Sequence, residues 1–236
     1  CHLPRSVIEM GVTGRLDSLD GMIFPSICDV IRNLSGMWKV LFPDKVSFYF
    51  DAPQNLDRRL GGEFLKGELS RAVSIFEEMS GQKVTQESLT NAVQLYNKNT
   101  ELLDKIYAHQ TEDPWDIPTS ELYLLLRAGF ILDVKEHNVM LEQYLELAPK
   151  EGRKPQDNSR VILKGSFCEQ PPLGLIRSLE RAGGYIVEDD FVLGCRWLKG
   201  PISTEGDIVK NISDAFLDDS REGSFKYNPD HKGDEL

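Results

Sequence analysis

The sequence has 236 residues, 40% of them hydrophobic, which is enough to bury a core in one large domain or two small ones. No run approaches the roughly 18 to 20 apolar residues of a membrane span, and the first residues lack a signal-peptide pattern, so we expect a cytoplasmic protein without a membrane partner. The net charge of -11 argues against a nucleic-acid partner, since binding a phosphate backbone requires clustered Lys and Arg.

Four cysteines are too few, in a chain of this length, to form a disulfide framework. They are Cys1, Cys28, Cys168 and Cys195, and no two of them stand in a Cys-x-x-Cys spacing, which excludes the local zinc-finger and ferredoxin motifs. Buried structural thiols and metal ligands brought together by the fold remain as alternatives. Because the chain opens on Cys1 rather than Met, we expect it to be a piece of a longer protein.

Residues 1–56 are predicted to form a first α/β unit. Two short apolar runs are separated by a helix long enough for a crossover, and this order is typical of a parallel sheet covered on both faces. The predicted elements are a helix over Pro4–Val12, a strand over Met22–Phe24, a helix over Asp29–Leu41 and a strand over Val46–Phe50.

Residues 57–154 are predicted to form a helical region. Gly81 is the expected end of one helix, and Thr85 is the expected N-cap of the next. Apolar residues recur here at three- and four-residue intervals, which indicates a buried helix face rather than a cofactor-binding motif. This stripe consists of Leu89, Ala92, Val93, Tyr96, Leu103, Ile106 and Tyr107.

Residues 155–236 are predicted to form a second α/β unit. Pro172 is expected to open a helix that Gly183 and Gly184 close. The other predicted elements are strands over Arg160–Gly165 and Tyr185–Val187 and a helix over Ile208–Leu217. The predicted fold class is therefore α/β, with two small parallel-sheet units separated by a helical layer.

Cys28 and Cys168 each follow a predicted strand and precede a predicted helix. In open parallel sheets ligands bind beyond the carboxyl ends of the strands, and a helix N-terminus favours the thiolate, the form that binds metals. We interpret both positions as candidates for a metal or redox centre. The alternative is that each cysteine only fills a tight corner, and this structural role is favoured for Cys195, which has apolar neighbours.

Other chemistries have weaker support in the sequence. Neither a P-loop nor a Gly-x-Gly-x-x-Gly turn is present, so any ATP must be hydrolysed on another chain. No histidine stands in a motif that pairs it with a nucleophilic cysteine. Glu188, Asp189 and Asp190 either supply a carboxylate to the same cleft or form a solvated turn, and Arg196 either binds an anionic ligand or pairs with these acids.

Four stretches of the sequence carry a resemblance to a known family. They are Cys1–Ser6, Asp20–Asp29 with Arg32–Leu34, Gly165–Pro172 and Gly183–Phe191. At these residues the chain closely resembles the benzoyl-CoA reductase and 2-hydroxyacyl-CoA dehydratase family of iron-sulfur enzymes, and the resemblance extends over almost the whole chain. The stretch at 165–172 and the Asp-Asp-Phe at 189–191 are more similar to the family's benzoyl-CoA reductases than to its dehydratases.

The resemblance implies a 4Fe-4S cluster held by three cysteines of each subunit. Cys1 and Cys28 match the first two of these ligands. The third is expected beyond the end of this chain, and Cys168 is the substitute to consider. By motif, however, Cys168 with Glu169 corresponds to a different position of the family, near the active site and its substrate.

The resemblance also implies an activity and a set of partners. A separate ATP-hydrolysing iron-sulfur activator, with ferredoxin as the electron source, would deliver low-potential electrons to the cluster. The enzyme would then reduce the aromatic ring of benzoyl-CoA by single-electron radical steps in anaerobic aromatic degradation, as a hetero-oligomer with a second homologous subunit. Two alternatives stay open: dehydration of a 2-hydroxyacyl-CoA through a ketyl radical, and a non-catalytic α/β scaffold.

Overall fold

The computed structural model describes residues 2–163, 171–189 and 200–222, and within these ranges the chain is a mixed α/β protein. The predicted class is confirmed, because two small parallel sheets are separated by helices. The helices are α1 (Leu3–Val12), α2 (Asp29–Leu41), α3 (Glu63–Ser80), α4 (Gln86–Glu112), α5 (Thr119–Ala128), α6 (Val134–Leu147), α7 (Leu173–Arg181) and α8 (Ile208–Glu222). The strands are β1 (Gly21–Pro25), β2 (Val46–Phe50), β3 (Ser159–Leu163) and β4 (Gly184–Asp189).

The folded chain divides into two compact units. The first contains the residues up to Thr85 together with Asp207–Arg221, and the second contains the described residues of Gln86–Gly206. These units are defined by contacts rather than by chain order. The domain ranges 1–56, 57–154 and 155–236 therefore remain a prediction.

The first unit is built on the parallel pair β1 and β2, in which Gly21 lies opposite Val46 and Pro25 lies opposite Phe50. Helix α2 connects the two strands, as the sequence predicts, and begins at Asp29. Its buried residues, Ile31, Leu34 and Trp38, follow one another at intervals of three and four, so they form a single face of the helix. This face packs with Phe24 of β1 in one apolar cluster.

Trp38 is the centre of this cluster. Its side chain is completely buried, and its ring lies 6.2 Å from the ring of Phe24 and 4.4 Å from the ring of Phe42, centroid to centroid. Helix α1 approaches these rings closely at Gly11, where a Cβ atom would lie 2.6 Å from the Phe42 ring. Only glycine fits at that position without displacing an aromatic side chain.

Helix α8 is fixed to the start of α3 within the same unit. The Ser213 hydroxyl donates a buried hydrogen bond to the carbonyl of Gly62 at 3.1 Å. Lys66 pairs with Asp207 at 2.7 Å, which joins α3 to the residue that precedes α8. Residues 208–217, which are predicted as a helix from sequence, therefore belong to the first unit although they lie near the end of the chain.

The second unit is built on the parallel pair β3 and β4, which has one register irregularity between Val161 and Ile162. Pro172 caps α7 as predicted, and the chain returns through Gly183, whose φ of 92° favours glycine, into β4. Helices α4 to α7 pack with the sheet around one apolar core. Its fully or almost fully buried members include Leu103, Ile106, Ile117, Leu122, Leu126, Leu141, Ile176 and Ile186.

One part of the predicted helical stripe is wrong. Val93, Leu103, Ile106 and Tyr107 of α4 are buried as expected, but Ala92 is exposed and the Tyr96 side chain is 62% exposed. The same helix also contacts α6 through polar side chains. No helix among the described residues has the length and apolar character of a membrane span.

The polar contact between α4 and α6 is a buried network around His137. The Asn99 amide donates to His137 Nδ1 and to Asn138 Oδ1, each at 2.8 Å. His137 Nε2 lies 2.9 Å from the Leu125 carbonyl, which only accepts, so this nitrogen carries the hydrogen. Both ring nitrogens of His137 are thus hydrogen-bonded within the core, and this histidine has a structural role.

We expect Trp38→Ala to lower the free energy of unfolding by about 3 to 5 kcal/mol, because it leaves a cavity between two aromatic rings. Trp38→Phe should cost less, since the buried indole N–H has no acceptor among the described residues. Urea unfolding of the full chain, followed by far-ultraviolet circular dichroism, measures both. Val40→Ala, on the same helix at a side chain 80% exposed, is the control and should change stability by less than about 0.5 kcal/mol.

We expect Asn99→Ala to lower the free energy of unfolding by about 2 kcal/mol, because it leaves His137 Nδ1 and Asn138 Oδ1 buried without their donor. The exposed Asn91→Ala on the same helix is the matched control. Urea unfolding of the full chain, followed by far-ultraviolet circular dichroism, measures the stability of both variants. Equal stability of the two variants would contradict the structural role of the His137 network.

Candidate functional site

Cys28 occupies the corner between the end of β1 and the start of α2. It is the N-cap of α2, with an extended backbone (φ -167°, ψ 165°), and its carbonyl accepts the first helical hydrogen bonds, from Ile31 and Arg32, at 3.2 Å. The thiol makes no capping hydrogen bond and is exposed. The local fold therefore uses the backbone of Cys28 and leaves its sulfur available.

The corner is tied to the neighbouring strand by two hydrogen bonds of Ser26. Its N–H donates to the Phe50 carbonyl at 2.9 Å, which extends the parallel ladder one residue past β1. Its hydroxyl accepts from the N–H of Ala52 at 2.8 Å. The segment after β2 and the segment that leads to Cys28 are thus held side by side at the carboxyl edge of the sheet.

Helix α3 supports the end of β2 through an ion pair. Glu68 Oε2 accepts from the N–H of Asp51 at 3.1 Å and from the Arg71 guanidinium at 2.6 Å. Arg71 also donates to the carbonyl of Tyr49 at 2.6 Å and lies over the ring of Phe48, 4.6 Å from its centroid. The sequence analysis did not identify this pair, although its i, i+3 spacing on a helix is a recognisable signal.

Asp29 and Arg32 place two opposite charges on the first turn of α2, which follows the corner. Their side chains lie 3.6 Å apart and are largely exposed, so water screens their attraction. The hydroxyl of Tyr49, and then the carboxylates of Asp29 and Asp51, raise the pKa of Arg32. Arg32 therefore places a positive charge on the first turn of α2, which follows Cys28.

This geometry suits a thiolate ligand. The first N–H groups of α2 and the dipole of the helix favour negative charge at its N-terminus, where Cys28 lies. An exposed sulfur with no other hydrogen-bonded role can bind an iron ion of a cluster, whose protein ligands are cysteine thiolates. The donor at this corner therefore fits the predicted cluster.

The remaining predicted site residues cannot be placed beside Cys28. Cys28 is the only cysteine in the described part of the chain, because Cys1, Cys168 and Cys195 lie outside the described residues. Glu169 also lies outside them, as do Asp190 and Arg196. Of the acids that end β4, Glu188 is exposed and Asp189 is buried.

A second group of possible metal ligands lies where α4 ends in the second unit. His109, Asp113 and Asp116 place one ligand atom each within 4.8 Å of one another, and His109 Nε2 lies 3.0 Å from Asp116 Oδ2. This group is not among the residues predicted from sequence, although His and Asp at i, i+4 and i+7 across a helix end are a visible signal. It offers imidazole and carboxylate donors, so it does not suit an iron-sulfur cluster.

Comparison with known proteins identifies relatives of the whole chain. It is 48% identical over 228 residues to a subunit of the benzoyl-CoA reductase of Thauera aromatica, a match that covers 97% of this chain and 59% of the relative. It is 30% identical over 192 residues to the beta subunit of the (R)-2-hydroxyglutaryl-CoA dehydratase of Acidaminococcus fermentans, which covers 80% of this chain and 50% of the relative.

A third relative is more distant. The (R)-phenyllactyl-CoA dehydratase beta subunit of Clostridium sporogenes is 24% identical over 232 residues, which covers 98% of this chain and 61% of the relative. The chain thus spans between half and about three fifths of the length of these relatives. The family model described as 2-hydroxyglutaryl-CoA dehydratase, D-component, matches residues 1–234, and the chain belongs to this family.

Proposed function

We propose that this chain is part of a subunit of an iron-sulfur oxidoreductase that reduces the aromatic ring of benzoyl-CoA in anaerobic aromatic degradation. The identity of 48% to a benzoyl-CoA reductase subunit supports this substrate. The observation that carries the proposal in the structure is the exposed thiol of Cys28 at the carboxyl edge of a parallel sheet and at a helix N-terminus. Ligands of α/β proteins bind at such edges.

A bound 4Fe-4S cluster would supply low-potential single electrons for the radical reduction of the ring. The chain's own residues provide the ligand and its geometry. Cys28 binds iron, while Ser26 fixes the corner against the residues that follow β2. Glu68 and Arg71 hold the end of β2 from the side of α3, so the edge keeps its shape around an exposed ligand.

The proposal assigns roles to residues outside the described ranges on the basis of the family motifs. Cys1 joins Cys28 as a cluster ligand, a third cysteine of the complete protein completes the set, and Cys168 with Glu169 lies near the substrate. The partners are a second homologous subunit, an ATP-hydrolysing iron-sulfur activator and ferredoxin as the electron source. The subunit designations of the relatives support a hetero-oligomer.

A cytoplasmic location is part of the same proposal. Cys28 is a free cysteine, and a thiolate that binds iron must stay reduced. The cytoplasm keeps thiols in that state, whereas oxidising compartments convert exposed pairs of cysteines to disulfides.

Dehydration of a 2-hydroxyacyl-CoA is the second candidate function. It is favoured by the description of the family and by the two dehydratase relatives. The full-length complex, supplied with activator, ATP and reduced ferredoxin, should be given benzoyl-CoA and a 2-hydroxyacyl-CoA in separate assays. Formation of a ring-reduced thioester supports the first candidate, and dehydration without ring reduction would replace it by the second.

We expect Cys28→Ser in the full-length complex to lower ring reduction by more than about 100-fold, because even the residues around metal ligands contribute about 10- to 100-fold. The purified variant should also contain less iron and sulfide per protein, with a weaker electron paramagnetic resonance signal after reduction. Without a cluster, its free energy of unfolding should change by less than about 0.5 kcal/mol, since Cys28 is exposed.

Val40→Ser is the matched control for this experiment. It introduces the same side chain on the same helix at an exposed position and should keep iron, sulfide and activity. Full iron content in the Cys28→Ser variant would show that Cys28 is not a ligand. A complex that binds no iron or sulfide at all would favour the non-catalytic scaffold.

A further inference from the structure

The second unit contains a cavity of about 570 Å³ at the amino edge of the β3–β4 sheet. Helices α5 and α7 and the first residues of β4 form its walls. This volume lies within the range that is usual for pockets that bind cofactors and other small molecules. In the part of the chain that the structure describes, no residue predicted as functional from the sequence lines the cavity.

The cavity is positively charged in a chain of net charge -11. Among the described residues, four cations line it and two anions, Glu121 and Glu180, oppose them, which leaves a local charge of 4 - 2 = +2. Three of the four cations belong to exposed residues. The cations are Arg153, Lys154, Arg177 and Arg181. An excess of positive charge on an acidic protein, inside a concave surface, is suited to an anionic ligand.

Both glutamates that line the cavity already make contacts within the protein. Glu121 pairs with Arg153 at 2.6 Å and accepts from the Tyr144 hydroxyl at 2.7 Å, and burial followed by this hydrogen bond raises the pKa of Tyr144. Glu180 accepts from the N–H of Ser120 at 3.1 Å. These contacts fix the walls of the cavity, and the pair of Glu121 with Arg153 balances one negative charge of its lining.

Three of the four cations have no carboxylate partner among the described residues and can therefore contact a ligand. Within the described ranges, no carboxylate pairs with the side chain of Lys154, Arg177 or Arg181. Arg177 and Arg181 stand four residues apart on α7, so their side chains lie on the same face of the helix. Two guanidinium groups on one face can bind two phosphate groups of one ligand, each with paired hydrogen bonds.

An aromatic wall completes the site. The rings of Trp115 and Tyr185 lie 6.4 Å apart with an angle of 61° between their planes, and both side chains are half-buried. The Tyr185 hydroxyl accepts from the N–H of Gln156 at 2.8 Å, which holds the ring in place. An indole ring and two arginines that line one cavity are a combination that can bind a base and its phosphates.

We propose that this cavity binds the adenosine-phosphate group of coenzyme A, with its base against Trp115 and its phosphates on Arg177, Arg181 and Lys154. This inference rests on the proposed function, which makes a CoA thioester the substrate. A free adenine nucleotide shares the same chemistry. The test distinguishes the two sources.

The position of the cavity is compatible with a CoA thioester. The cavity lies at the amino edge of the sheet, whereas Cys168 and Glu169 follow the carboxyl end of β3 in the sequence. β3 has five residues, or about 17 Å of extended chain. The pantetheine arm of coenzyme A is of similar length, so its nucleotide and its thioester can occupy opposite edges of one sheet.

The test is isothermal titration of the full-length complex with coenzyme A, with ADP and with adenosine, none of which requires turnover. We expect coenzyme A to bind and adenosine to bind much more weakly, with an affinity for coenzyme A that falls as salt rises. Arg177→Gln and Arg181→Gln should each raise the Kd by about 10-fold or more. Trp115→Ala should weaken binding, and Trp115→Phe should retain most of it.

Lys135→Gln is the matched control, because it removes an exposed cation of the same unit outside the cavity, and it should leave the Kd unchanged. Unchanged binding of coenzyme A to the Arg177→Gln and Arg181→Gln variants would overturn the site. Arginine-dependent binding of ADP without binding of coenzyme A would support a nucleotide site and overturn its assignment to the substrate.

The proposed function fails by a different result. A complex that binds coenzyme A through Arg177 and Arg181 but reduces no aromatic ring would keep the site and remove the benzoyl-CoA reductase assignment. A complex that reduces the ring and is insensitive to both substitutions would keep the function and remove the site.

Discussion

The packing of α2 on the β1–β2 pair is the constraint on which the candidate cluster ligand depends. Ile31, Leu34 and Trp38 bury one face of the helix, and Trp38 has no exposed surface at all. A buried indole between two aromatic rings fixes both the rotation of the helix and its distance from the sheet. Because Cys28 is the N-cap residue of α2, the same packing fixes where its backbone lies and from which point its side chain projects.

The corner itself is held by backbone and polar contacts, which leaves the thiol available. The Ser26 hydroxyl accepts from the N–H of Ala52, and Glu68 accepts from the N–H of Asp51, so these two backbone groups beyond β2 are paired within the protein. The sulfur of Cys28 is not needed to pair either of them. The packing of α2 on the sheet sets the position of Cys28, and its place at the sheet edge leaves its thiol exposed.

Much of the fold was predictable because local signals agree with the tertiary structure. The bounds of α2 and β2 match the sequence prediction, and Gly81 ends α3 in the left-handed conformation expected of a helix-terminating glycine. Neither the exposure of Tyr96 nor the polar packing of Asn99 against α6 was predictable, since helical periodicity does not show which face meets an element about 40 residues away. For the site, a strand-to-helix corner marks Cys28 locally, whereas the support from Glu68 comes from another element.

The cavity of the second unit shows why net charge describes a protein's partners poorly. A charge of -11 disfavours an extended polyanion, which needs a basic surface many residues wide. It says nothing about a small anion, because burial and pairing decide which charges a concave site presents. Glu121 and Glu180 are committed to Arg153 and Ser120, so the cavity presents Arg177 and Arg181 despite the acidic surface elsewhere. Local pairing, rather than composition, therefore determines what this unit can bind.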